Sequence, residues 1–241
     1  MIESSRPRIC AVVPAFNESG NIAGVIADIR RHCPDITIVV VDDGSSDSTC
    51  ATALALGATA LRLPVNLGIG GAVQTGLKYA AEHGFDIAVQ FDGDGQHLAG
   101  ELVKLLLPVI NSTADVVVGS RFKDKKSPYR GSLSRLIGIR IISWVSSALI
   151  GQRITDPTSG FRAYNRRAME FLANDYPQDY PEPEAIIALS RNGYSILEVP
   201  VAMKPRAEGK SSIGACSAGY YMTKVLLAIL VTSIRTPRLE E

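Results

Sequence analysis

Apolar residues along this chain fall into two kinds of run that take turns. Short continuous runs rich in Val, Ile and Ala end at Pro, Gly or Asp, and longer segments repeat apolar positions at helical spacing. Residues 8–14 (RICAVVP) make the first short run and residues 36–41 (ITIVVV) the second. Runs of this length, apolar at nearly every position, predict strands covered on both faces. Between them, residues 21–32 set Ile22, Val25, Ile26 and Ile29 on one helical face. The alternation continues with a helix from Ser48, Asp47 being its N-cap, and a strand over 58–63. A helix over 70–83 closes at Gly84, and a strand over 86–91, a helix over 101–110 and a strand over 115–119 follow. Such a series predicts an α/β fold with a doubly wound, mostly parallel sheet, whose ligand crevice lies at the carboxyl ends of the strands.

The second half is less regular. Residues 133–149 predict a helix, 152–160 a loop and 161–164 a short strand. Residues 177–183 (PQDYPEP) read as a proline-broken loop before a helix over 185–191. A strand over 195–199, a basic loop over 204–210 and a final helix over 219–234 complete the chain. Neither an internal repeat nor a low-complexity linker interrupts the pattern. Residues 1–212 are therefore read as one domain, and 213–241 as a C-terminal amphipathic helical appendage rather than a second domain.

Composition narrows the function classes. A formal net charge of +1 over 241 residues provides no global field for nucleic acid, so any anion site must be local. The four cysteines are scattered without a CxxC pair. Cys10 and Cys50 fall in apolar runs, as small hydrophobes do, which suits a reducing, cytosolic compartment. The N-terminal stretch lacks the pattern of a secretion signal. No stretch reaches the roughly 18 apolar residues of a spanning helix.

Three strand-end connections carry acidic or glycine-rich clusters. The strongest is Asp92-Gly93-Asp94-Gly95-Gln96-His97, directly after an apolar strand. Two carboxylates two residues apart, with Gln96, offer hard oxygen ligands for Mg²⁺ or Mn²⁺, which bind through a few carboxylates plus substrate phosphates. A polar glycine turn explains the same residues when they are taken alone. The second cluster, Asp42-Asp43-Gly44-Ser45-Ser46-Asp47, has carboxylates beyond those a helix cap needs, so at least one of Asp42 and Asp43 is expected to serve a ligand. The third, Pro14-Ala15-Phe16-Asn17-Glu18, sets an aromatic face and a carboxylate at the same edge, although Phe16 reads equally as core. The glycines of Asn66–Ala72 are weak as a dinucleotide fingerprint and are read as a tight turn for close helix packing, with diphosphate contact at the helix start.

In their order and spacing, VPAFNE, VDDGSSD, NLGIGGA, FDGDGQH, GSRF and DPTSGFRAY resemble the family 2 inverting glycosyltransferases. More narrowly, the chain is similar to the dolichol-phosphate mannosyltransferase and polyprenyl-phosphate glycosyltransferase branch, over roughly residues 8–212. The resemblance implies a GT-A type nucleotide-diphospho-sugar transferase fold. It implies that Pro14, Phe16, Glu18 and Asp43 hold the nucleoside, and that Asp92 and Asp94, with Gln96, hold the metal and diphosphate. It further implies that Arg121 lies near the phosphates and that Asp156, with the turn at 158–160, lies beside the reacting centre.

The activity so implied is transfer of a sugar from a nucleotide-diphosphate sugar to an undecaprenyl or dolichyl phosphate. An anionic phosphate acceptor barely needs a general base but does need cations. Candidates are Arg121, Arg135, Arg140 and Arg162, with Arg206 and Lys210 as a clamp from the late basic loop. A saccharide hydroxyl acceptor would instead need a base, for which Asp156, Glu182 and Glu184 are the candidates. The apolar segments 133–149 and 219–234, each with cations, fit either a bilayer interface or a buried core. Many members of the branch carry C-terminal spanning helices, and this chain departs from them. Its partners are thus expected to be a nucleotide sugar, a lipid phosphate and a membrane surface or membrane protein at the cytoplasmic face, with homo-oligomerisation open. The YPEPE stretch points to cell-envelope polymer assembly and a UDP-sugar ahead of a GDP-sugar. A nucleotidyltransferase would carry basic residues in its first loop, where this chain has PAFNESG. A silent binding module would have no chemical need for Asp92, Asp94 and Asp156 together.

Overall fold

Valine and isoleucine, stiff at χ1 and suited to a pleated surface, fill the short apolar runs, and these become the strands of one seven-stranded sheet. The computed structural model describes residues 6–124, 133–204 and 217–234. Its strands are β1 (Ile9–Ala15), β2 (Thr37–Asp42), β3 (Thr59–Arg62), β4 (Ile87–Gln90), β5 (Val116–Ser120), β6 (Arg162–Asn165) and β7 (Ile196–Pro200). They lie in the order β3-β2-β1-β4-β6-β5-β7. Neighbours run parallel except at β6, which is antiparallel to both β4 and β5. The helices are α1 (Ile22–His32), α2 (Thr49–Ala55), α3 (Gly68–Glu82), α4 (Leu102–Ile110), α5 (Leu133–Ile150), α6 (Arg166–Asn174), α7 (Pro181–Arg191) and α8 (Ser217–Ile234).

Because successive strand residues point to opposite faces, β1 divides its side chains between two cores. Ala11 and Val13 join Ile22 and Ile26 of α1, Ala53 of α2 and Leu102 of α4. Cys10 and Val12 join Val73 and Leu77 of α3, Met169 of α6 and Ile186 of α7. Burial pushes the Cys10 thiol up to about 12, in keeping with a small hydrophobe. Cys33 and Cys50 are free as well, and Cys216 lies outside the described residues. The close helix packing expected of the Asn66–Ala72 glycines extends to Gly76, where a Cβ would stand 2.2 Å from Val12 Cγ1.

Two elements differ from expectation. The segment 166–174, to which the apolar pattern assigns no element, is a helix, capped where the Ala168 amide donates to the Asn165 side chain. Residues 181–183, read as loop, are the first turn of α7. Proline fits there because a helix start has no use for its missing N–H. Among the described residues no helix is long and apolar enough to cross a membrane.

Candidate active site at the carboxyl edge of the sheet

The carboxyl ends of β1, β2, β4 and β5 meet the amino end of the reversed strand β6, where Arg162 registers with Gln90 and Val118. On the first side of this edge, the loops after β1 and β2 are laced together. The Asn17 amide donates to Ser45 Oγ (2.9 Å), the Ser46 amide to Asn17 Oδ1 (2.9 Å) and the Glu18 amide to Thr49 Oγ1 (2.9 Å). Asn17 holds φ at 54°, a left-handed conformation that asparagine tolerates better than most residues. Asp47 accepts from the Thr49 and Ser19 amides at 2.9 and 3.1 Å. Desolvation opposes its ionisation, but the bonds from Thr49 and Ser19 outweigh it and hold its pKa at about 2.

This lacing changes the reading of the acidic cluster. Asp43 is buried, and its two oxygens accept from the Leu67 amide (2.7 Å) and the Gly68 amide (2.9 Å), so it caps the start of α3. Asp42 is buried too, taking the Ser45 amide at 3.1 Å and standing 3.6 Å from Arg62 Nε. Both carboxylates shape the loops, contrary to the expectation that capping left them over. Pro14 is buried in β1, whereas Phe16 is 47% exposed and Glu18 partly exposed, its carboxylate taking Asn21 Nδ2 at 2.7 Å. Phe16 is therefore at the crevice edge rather than in the core.

The second cluster begins where β4 ends. The Gly93 amide donates to Pro14 O at 3.2 Å, and a Cβ on Gly93 would come within 2.9 Å of that oxygen. Glycine thus lets the turn lie against β1, with Asp92 and Asp94 on either side. Asp94 Oδ1 accepts from the Gln96 amide (3.0 Å), and Gln96 O accepts from the Lys204 amide (2.8 Å). Behind the turn, His97 stacks on Phe161 with centroids 4.5 Å apart. Burial lowers its pKa to about 4, against the pull of Asp94, so the ring is neutral at neutral pH. Its Nδ1 accepts the Asp92 amide (3.0 Å), which assigns the proton to Nε2, 3.4 Å from Asp92 Oδ2.

These residues fit a divalent cation of the Mg²⁺ or Mn²⁺ type. The donor set is hard oxygen, and the Asp92 side chain is 33% exposed. A Cβ on Gly160 would stand 3.1 and 3.2 Å from the Asp92 oxygens, so glycine keeps that approach open. Among the described residues no three His, Cys, Asp or Glu side chains form a self-contained metal cage. A site completed by substrate phosphates needs none.

The third group is built from buried charge. Arg121, after β5, forks the carboxylate of Asp156: Nε to Oδ2 and Nη2 to Oδ1, both at 2.7 Å. The Arg121 amide adds a bond to Oδ2 (3.1 Å), and Nη2 also reaches Thr158 Oγ1 (2.9 Å). Asp156 is 0% exposed. Its own amide donates to Glu198 Oε1 (2.7 Å), and the Thr155 amide and hydroxyl donate to the same carboxylate. Glu198 thus clamps the turn that carries Asp156 to β7. The sequence reading gave it no role, although a lone acid in the apolar run ILEVP was the available signal.

Arg162, expected among the acceptor-binding cations, acts electrostatically on Glu182, as Arg121 does. It is 0% exposed, with Nε donating to Ser159 O (2.7 Å) and Nη2 to Pro157 O (2.8 Å), so it braces the 156–160 turn from below. Glu184 accepts from the Tyr180 amide (3.0 Å) and from Thr232 Oγ1 (3.1 Å), tying the start of α7 to α8 rather than serving as a base. Glu182 is partly buried in the first turn of α7. Burial raises its pKa above the usual carboxylate range, while Arg162 pulls against that shift and Asp92 adds to it. Arg140 is exposed on α5. The Arg135 side chain, Arg206 and Lys210 lie outside the described residues.

Comparison with known proteins gives this edge a family. The profile of glycosyl transferase family 2 matches residues 10–172. A UDP-N-acetylglucosamine–dolichyl-phosphate N-acetylglucosaminyltransferase of Methanococcus voltae is 35% identical over 80% of this chain and 84% of its own. A polyprenol monophosphomannose synthase of Mycolicibacterium smegmatis is 30% identical over 90% of this chain and 85% of its own. Among solved structures, glucosyl-3-phosphoglycerate synthase of Mycobacterium tuberculosis, in complex with Mn²⁺, UDP and glucosyl-3-phosphoglycerate, superposes with a TM-score of 0.71. At 22% identity over 96% of this chain and 81% of that one, it shares the fold.

Proposed function

The chain belongs to glycosyl transferase family 2, and on that premise we propose that it moves a sugar from a nucleotide-diphosphate sugar to a polyprenyl phosphate, with inversion. The donor proposed first is a UDP-sugar, in line with the name of the relative at 35% identity. Phe16 and Glu18 meet the nucleoside, in a frame set by Pro14 and Asp43. Asp92 and Asp94, with Gln96, hold Mg²⁺ or Mn²⁺ and the diphosphate. A cation held there supplies Lewis-acid stabilisation of the negative charge that builds on the departing diphosphate. An oxygen of the acceptor phosphate forms the new bond to the anomeric carbon from the face opposite the leaving group. The bond from that carbon to the diphosphate breaks, its electron pair leaves with the nucleotide, and no proton needs to be taken up.

The observation that carries this reading is the Arg121–Asp156 fork. The buried carboxylate at the reacting edge has both oxygens on arginine at 2.7 Å. As a base it would first have to surrender that pair. As an anchor it fixes a guanidinium where two phosphates must approach each other. A second reading, transfer to a saccharide hydroxyl, rests on Glu182, the remaining candidate base near Asp92. A lipid-phosphate acceptor places the reaction at a membrane surface, and the free, scattered cysteines among the described residues support the cytoplasmic face.

The test is transfer of radiolabelled sugar from UDP- and GDP-sugars to undecaprenyl or dolichyl phosphate, with Mn²⁺ or Mg²⁺ and with chelator. Label in the organic phase only when metal is present is the expected result. Label remaining in water, with donor bound normally, overturns the lipid-phosphate acceptor.

A further inference from the structure

α5 and α8 cross so closely that a Cβ on Gly138 would stand 2.8 Å from Met222 Cε. Their inner edges meet α7 in a cluster of Ile142, Ile187, Val225 and Ile229. Their other edges present exposed apolar side chains among the described residues. On α5, Ile137, Ile141 and Trp144 follow one helical face, and Trp144 is 74% exposed. On α8, Leu227, Leu230 and Ile234 repeat the pattern, and Ile234 is 79% exposed. Arg140 is exposed among the α5 residues and lines a shallow depression with them. The two helices together contain Arg135, Arg140 and Lys224, and neither contains an aspartate or glutamate.

We propose that this α5–α8 face is a docking surface for an anionic lipid bilayer. Exposed apolar stripes on two crossing helices, an amphipathic tryptophan and the exposed Arg140 and Lys224 match the boundary between acyl chains and anionic headgroups. A second copy of the chain is the poorer occupant. In a two-fold contact the face meets itself, and its cations find no acidic group across the interface. The surface serves the polyprenyl-phosphate reading, on which its purpose rests, since such an acceptor resides in a bilayer. Its test needs no acceptor.

Trp144 is the single tryptophan of the chain, so selectively excited tryptophan emission reports on this face alone. The full chain is titrated with phosphatidylglycerol vesicles and with phosphatidylcholine vesicles, both free of polyprenol. The expected result is a blue shift with the anionic vesicles and quenching by bromine-labelled acyl chains. Arg140→Gln should weaken that binding about fivefold, the effect of one cation near a charged surface. The double variant Ile141→Asp, Leu230→Asp should weaken it by at least about tenfold while leaving UDP binding unchanged, since it removes apolar contact from exposed positions. Unchanged emission with anionic vesicles overturns the proposal, as does equal binding to both lipids. A lipid-free blue shift that grows with protein concentration, alongside a dimer mass, assigns the face to a second copy instead. Transfer to short-chain polyprenyl phosphate in detergent, measured in parallel, tests the acceptor chemistry separately from the docking surface.

Discussion

On the β1–β2 side of the crevice, backbone amides donating to hydroxyls, to Asn17 and to the carboxylates of Asp42, Asp43 and Asp47 hold the loops together; on the β5–β6 side, a buried arginine–carboxylate pair does. The bonds from Asn17 to Ser45, Ser46 to Asn17 and Glu18 to Thr49 are exposed or partly buried, and each contributes about 0.5–1.5 kcal/mol net. Arg121, Asp156 and Glu198 are all buried, and their bonds run from β5 through the 155–158 turn to β7. The first arrangement fixes a backbone frame while leaving Phe16 exposed and Glu18 partly exposed at the crevice edge. The second fixes a charge in advance, so little reorganisation is needed when a second anion arrives. Under the proposed function, one side recognises the nucleoside and the other prepares the reaction.

The largest expected effect comes from breaking the charged side. Asp156→Ala leaves Arg121 buried without its carboxylate, which costs about 3–5 kcal/mol of stability. Asp47→Ala, on the other side, removes bonds at an exposed loop and costs about 1 kcal/mol. Urea denaturation of the two variants measures the contrast directly. Equal destabilisation would mean that the buried pair contributes no more than the laced loops, and the comparison would fail. Asp156→Asn, which keeps the shape, should retain more stability than Asp156→Ala and still lose transfer.

The same contrast explains what could be read from the sequence. Strand runs such as ITIVVV announce themselves because both faces of the sheet are covered, and all seven strands overlap strand-predicting runs in the sequence. The Asp92–His97 cluster was legible because its chemistry is local, with two carboxylates on one turn after a strand. The short helix α6 was not, because its cap, Asn165, closes a strand and opens the helix without an intervening turn signal. What the sequence leaves hidden at Asp43 and Arg162 is their internal partners: backbone amides 24 and 25 residues away for Asp43, and the carbonyls of Pro157 and Ser159 for Arg162. Glu198 meets Asp156 only through β5–β7 pairing, which no local pattern encodes.

A smaller effect sharpens the nucleoside side. Phe16 is exposed and belongs to neither face of the sheet core, so Phe16→Ala should change stability by less than about 0.5 kcal/mol. If its ring stacks on the base, the loss is on the order of 1–2 kcal/mol of binding, or roughly tenfold. Donor KM and the inhibition constant for free UDP should rise together while kcat holds, because product and donor share the nucleoside. A rise in donor KM without a change for UDP would move Phe16 to the sugar end.

The smallest expected effect decides most between the two acceptors. Glu182 lies close enough to Asp92 for the Asp92 charge to oppose its ionisation, and unlike Asp156 it is not held in an arginine fork. With a phosphate acceptor no proton leaves, so Glu182→Gln, which keeps volume and polarity, should lower kcat by less than about tenfold. With a hydroxyl acceptor the same carboxylate would be the base, and its loss would cost about 10²–10⁴ in kcat. Glu184→Gln is the companion variant, since Glu184 bonds to Tyr180 and Thr232 and its loss should appear in stability rather than in kcat. A hundredfold fall in kcat for Glu182→Gln, with stability and donor KM unchanged, would transfer the reaction from lipid phosphate to sugar hydroxyl. A small change would leave Arg121, held by Asp156, as the group around which the second phosphate is placed.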